Sequence, residues 1–195
     1  ISNYVFNGCT RLNSLVFEPS QVVPNLIPLV IGEPDDPITG EGPFSDCPLA
    51  SVDYNRYVSC YVDDLDSEDK GMFARPTLKE VTIGEQVLVL SSYLLSGSSI
   101  TSINIPNTVA TIGRNVFSNC DKLATLNIED GSEKLYVYTQ TTGGGADWGP
   151  FYDSPLTTAY LGRDVAYKCS YENNDFTPEE WSDGFFASED DVETL

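Results

Sequence analysis

The sequence predicts a solenoid of stacked short repeats, largely β in character, in which each unit is a turn followed by a short strand. Three observations carry that expectation. The opening ISNYVFNGCTRLNSLVF returns at residues 112–128 with six of seventeen positions kept: Ile1 as Ile112, Val5 as Val116, Phe6 as Phe117, Cys9 as Cys120, Leu12 as Leu123 and Leu15 as Leu126. Every kept position is apolar or cysteine while the polar residues drift, as expected where burial alone constrains a unit. The strand-like end of the unit recurs as RLNSLVF, PLASVDY, TLKEVTI, SITSINI, KLATLNI and PLTTAYL. The first apolar residues of these copies are Leu12, Leu49, Leu78, Ile100, Leu123 and Leu156, spaced by 37, 29, 22, 23 and 33 residues, and Val192, 36 further on, begins a partial seventh copy ending at Leu195.

The shortest intervals set a basic unit of 22 or 23 residues. That period with L-x-x-L-x-L character is the signature of a leucine-rich repeat, and the longer intervals carry insertions. Within each copy the last two apolar positions, such as Ile103 with Ile105 or Leu126 with Ile128, are two apart and share one face of an extended strand. That face is core. Six such strands side by side predict a sheet of about six strands whose alternate residues form a solvent-facing ladder. The ladder is Ser14 and Val16, Ser51 and Asp53, Glu80 and Thr82, Ser102 and Asn104, Thr125 and Asn127, Thr158 and Tyr160. Ahead of the strand, Val116, Phe117 and Cys120 stand at i, i+1 and i+4, which predicts a short helical turn. The aromatic of this turn follows I-G-x-x-V-F at 112–117 or I-S-x-x-V-F at 1–6, or else a long polar segment ending G-x-F at 42–44, 71–73, 149–151 and 184–186. All extra length lies between a strand and the next aromatic, so the insertions should emerge along one edge.

One such unit cannot bury its apolar face alone, whereas stacked copies share a continuous core. Residues 1–195 therefore read as a single domain of about six repeats plus the partial seventh. Ile1 aligns with Ile112, halfway through a unit, and Leu195 falls inside a strand, so the expectation is a segment of a longer array.

The stretch P-x-x-V-x-x-I-G-x-x-x-F-x-x-C-x-x-L-x-x-L-x-I at 106–128 resembles the BspA-type leucine-rich repeat of bacterial surface proteins, and G-P-F-x-x-S-P-L-T-T-A-Y-L-G-R at 149–163 is similar to a longer variant in that family. The resemblance implies a curved, horseshoe-like α/β solenoid with its parallel sheet on the concave side, secreted or exposed on the cell surface. It implies adhesion or protein binding, and it brings no catalytic residues.

Composition narrows the chemistry further. Thirty acidic against ten basic residues give a formal charge of −20, which repels phosphate backbones and anionic membrane surfaces, so nucleic acid is excluded as a partner class. The chain has no histidine, which removes Ser-His-Asp and Cys-His catalysis and the commonest metal ligand. Its longest apolar stretch, VVPNLIPLVI, is short and broken by Pro24 and Pro28, so no membrane insertion is expected. DDLDSEDKG at 63–71 fails the EF-hand pattern, because Asp69 stands where its glycine belongs and Arg75 where its bidentate glutamate belongs. A solvated loop, with no metal and no cofactor, is the expectation.

Cys9, Cys47 and Cys120 occupy the small buried position before the anchor leucine. Cys60 and Cys169 fall four strand steps apart, about 19 Å at ~4.8 Å per step, too far for a disulfide. Five free thiols are therefore expected, and titration in denaturant without reductant should count five.

The function expected is a non-catalytic surface-exposed or secreted module binding a host or neighbouring-cell protein; the alternative is a carbohydrate-binding surface protein of a glycan-uptake system. Candidate ligand contacts are Asp53, Glu80, Asn104, Asn127 and Tyr160 on the ladder, with Trp148 and Trp181 in successive insertions. Aromatic anchors beside a polar rim are the composition of an interface hot spot, so Trp148→Ala or Trp181→Ala should weaken binding at least about tenfold with the fold intact. Lost stability with kept affinity would identify them as core plugs instead.

Overall fold

The computed structural model describes residues 5–21, 29–31, 43–44, 46–60, 71–138, 149–169 and 185–186. Among these residues twelve strands alternate between two series. The first holds β1 (Ser14–Phe17), β3 (Ser51–Tyr54), β5 (Glu80–Ile83), β7 (Ser102–Ile105), β9 (Thr125–Ile128) and β11 (Thr158–Leu161), one in each of the six copies read from the sequence. The second holds β2 (Leu29–Ile31), β4 (Val58–Cys60), β6 (Val89–Leu90), β8 (Thr111–Ile112), β10 (Leu135–Tyr138) and β12 (Val165–Cys169), which the repeat pattern did not announce. Every strand pairing is parallel, as expected when each unit repeats the path of the one before it.

The predicted six-stranded sheet is instead two sheets of three, ordered β1-β3-β5 and β11-β9-β7. At four junctions one carbonyl just before the strand accepts two amides from the next copy: Asn13 O from Ala50 and Ser51, Ala50 O from Lys79 and Glu80, Thr101 O from Ala124 and Thr125, and Ala124 O from Thr157 and Thr158. Between β5 and β7 that fork is replaced by a bond from Ser99 N to Leu78 O, 2.8 Å. The second series breaks at the same junction, into β2-β4 and β12-β10-β8-β6.

The predicted short helical turn is also corrected, since no helix occurs among the described residues. Its geometry explains why. The residue two positions after the aromatic or leucine of each turn has left-handed φ: Gly8 at 72°, Asp46 at 61°, Gly97 at 66°, Asn119 at 56° and Asp153 at 55°. A left-handed residue stops a right-handed helix, and Gly, Asn and Asp are the residues that tolerate it. Phe73-Ala74-Arg75 departs from this rule, and there the Arg75 guanidinium donates to the carbonyls of Phe44, Cys47 and Met72 at 2.6, 2.9 and 3.2 Å.

The core runs between the two series and the turns as one cluster from Phe17 to Phe151. Both kinds of unit place their aromatic in it: Phe6 stacks on Phe44 with ring centroids 5.0 Å apart, and Phe117 on Phe151 at 5.1 Å. The glycine of G-x-F also has a steric reason at Gly71, where a Cβ would lie 1.6 Å from Tyr93 O of the next turn.

Cys9, Cys47 and Cys120 are free thiols, the last two buried and Cys9 partly so. Cys60 and Cys169 end β4 and β12, which belong to different sheets. Burial, first among the causes, pushes the thiols of Cys47 and Cys120 above the ordinary value. A raised pKa leaves less thiolate at pH 8. In the native chain iodoacetamide should therefore label Cys9 before Cys120, read by peptide mass spectrometry at timed quenches; equal rates would show that the turns open freely.

Candidate functional site

Outward-facing side chains of the first strand series form two rows. In one, Ser14, Ser51 and Glu80 are register partners on β1, β3 and β5, as are Ser102, Thr125 and Thr158 on β7, β9 and β11. The other holds Val16, Asp53 and Thr82, then Asn104, Asn127 and Tyr160. Their partners in the strand, such as Val52, Tyr54, Ile103, Ile105, Leu126 and Ile128, are buried. Alternation therefore places the ladder where period two requires.

The structure brings Asn104, Asn127 and Tyr160 together on three adjacent strands. Asp53 and Glu80 lie exposed on the other three-stranded sheet, apart from that group. Trp148, Trp181 and most of the acidic run from Asp63 lie outside the described residues.

Two carboxylates that the repeat pattern did not single out complete the polar group. Glu129, immediately after β9, accepts from Asn104 Nδ2 at 2.7 Å and from the Asn107 amide at 3.2 Å. Asn127 Nδ2 donates in turn to Asn104 Oδ1. Asp130 accepts the Tyr160 hydroxyl at 2.8 Å, and this bond, followed by the aspartate charge, holds the phenol pKa above its ordinary value. Tyr160 as a whole is 51% exposed.

Beneath this group Arg163 is buried, and its Nη atoms donate to the carbonyls of Asn107 (2.9 Å), Pro106 (3.1 Å) and Val109 (2.7 Å). Burial pulls its pKa down while Glu129 nearby pulls it up. The guanidinium thus fixes the same turn that Glu129 grips through the Asn107 amide. Among the described residues no group of three or more His, Cys, Asp or Glu side chains is placed to hold a metal ion, and no helix is long and apolar enough to cross a membrane.

A family model described as the BspA type leucine rich repeat region matches residues 40–140 in six copies. No curated protein and no solved structure matches the chain.

Proposed function

The chain belongs to the BspA-type leucine-rich repeat family, and from that premise we propose that it is a non-catalytic module binding a protein partner, on a cell surface or outside the cell. The observation that supports this most directly is the exposed ladder: side chains in register rows over a core that is closed and apolar. Strand spacing of about 4.8 Å makes such rows a fixed template, and a partner that matches them binds with little ordering cost. On this reading the two three-stranded sheets are halves of the concave face of one curved stack, and adhesion is the role it serves.

The test is binding of the immobilised chain to arrayed purified extracellular proteins and, in parallel, to arrayed glycans. Saturable protein binding weakened by substitutions in the Asn104, Asn127 and Tyr160 row supports the reading. Binding confined to glycans would make the chain a polysaccharide-capture protein, and turnover of any arrayed glycan would overturn its non-catalytic character.

A further inference from the structure

We infer that the corner formed by Asn127, Tyr160 and Asp130 is a subsite for a cationic side chain, an arginine or lysine carried by a basic segment of the partner protein. The inference rests on the protein-binding reading and gives that reading a chemistry.

The polarity of the amide row is fixed at one end. An ionised carboxylate only accepts hydrogen bonds, so Glu129 forces Asn104 to turn its amide nitrogen toward it, as the 2.7 Å bond shows. Asn104 Oδ1 then faces the next strand, where Asn127 Nδ2 donates to it. Asn127 is left with Oδ1, an acceptor, at the end of the row beside Tyr160, its register neighbour in the next sheet position. The Tyr160 hydroxyl hydrogen is committed to Asp130. What remains on offer is an amide oxygen, a carboxylate and an exposed aromatic ring: acceptors and a negative π face.

Such a set matches a group that is all donors and positively charged. Guanidinium has five N–H donors and ammonium three, and both are attracted to an aromatic face. Two carboxylates, Glu129 and Asp130, flank the corner, while Arg163 directs its Nη hydrogens to backbone carbonyls. The formal charge of −20 draws a basic segment toward the chain at long range. A neutral sugar fits less well, because each of its hydroxyls presents a lone pair as well as a hydrogen and gains nothing from the net charge.

The test is fluorescence anisotropy with labelled nona-arginine, and with a Gly-Ser peptide of equal length, against the full chain. Tyr160→Ala should weaken nona-arginine binding by about 5-fold or more, as loss of a cation–π contact implies, while Tyr160→Phe, which keeps the ring, keeps it within about 2-fold. Asp130→Asn should weaken it comparably. Asp53→Asn, which removes the same charge from the other sheet, should change it by less than about 2-fold. Equal losses for Asp53→Asn and Tyr160→Ala, or no nona-arginine binding, would overturn the subsite. Circular dichroism confirms that each variant is folded. A synthetic peptide array separates the two claims: selection of neutral or acidic peptides sinks the cationic subsite and leaves protein binding standing, whereas binding to glycans and no peptide sinks both.

Discussion

Replacing Phe73 by alanine is expected to lower the stability of the chain by about 3–5 kcal/mol, a large share of the roughly 5–15 kcal/mol a domain holds. Phe73 is fully buried, with ring centroids 5.8 Å from Phe17, 5.8 Å from Phe44 and 5.7 Å from Tyr54. Its amide also donates to Leu94 O at 3.0 Å, so it stands at the junction where both strand series are interrupted. Elsewhere the copies are joined by continuous strand pairing as well as by core contacts. Here the core and a few turn bonds do the joining alone, and the rings that Phe73 meets all belong to the first half, so a cavity at Phe73 destabilises that half more than the second. Urea unfolding followed by circular dichroism should show the lower midpoint and a split into two transitions. Ile128→Val, inside the second half, should cost only about 0.5–1.5 kcal/mol and keep one transition. A Phe73→Ala loss below about 1 kcal/mol would mean that neighbouring rings close the gap.

The strand ladder was legible because its signal is period two over four residues with a buried partner at each alternate position, as in Ile103 and Ile105. The second strand series was not, because β6 and β8 are two residues each, too short to display any period. The turn was misjudged for a different reason. Val116, Phe117 and Cys120 do stand at helical spacing, but Asn115 and Asn119 have φ of 53° and 56°. A signal for this was present: Gly8, Asp46, Gly97, Asn119 and Asp153 recur at one place in the unit and are the residue types that accept left-handed backbone. The break between β5 and β7 concerns which carbonyl meets which amide, and side-chain pattern carries no record of that. Asn104, Asn127 and Tyr160 followed from the ladder, whereas Glu129 and Asp130 lie just past the strand, where alternation no longer says which way a side chain points.

Arg163→Ala is expected to cost about 3 kcal/mol or more, although the residue is a charged one in the G-R-D that follows a strand. Its side chain is 8% exposed and reaches from the sixth copy past the fifth to the turn of the fourth, where it donates to the carbonyls of Pro106, Asn107 and Val109. Alanine strands two carbonyls, Asn107 and Val109, each worth roughly 1–3 kcal/mol if left dry, with water rescuing part of the loss, and leaves Pro106 O only the Val109 amide. Its Nε is buried without a hydrogen-bond partner, so the native arrangement already accepts one unmet donor to keep the three bonds. Arg163→Lys should recover only a fraction, because one ammonium cannot match a planar fork aimed at carbonyls on both of its arms. At about 2–4 °C per kcal/mol for a chain of this size, the alanine variant should melt some 6–12 °C lower. The effect should also reach the ligand corner: Asn107 is held by Arg163 through its carbonyl and by Glu129 through its amide. Releasing the first grip loosens the second, and with it the orientation of Asn104 and Asn127. Arg163→Ala, assayed below its melting point, should therefore lose nona-arginine affinity even though it removes a positive charge, which electrostatics alone would turn into a gain. A gain would show that the amide row keeps its orientation without the arginine beneath it.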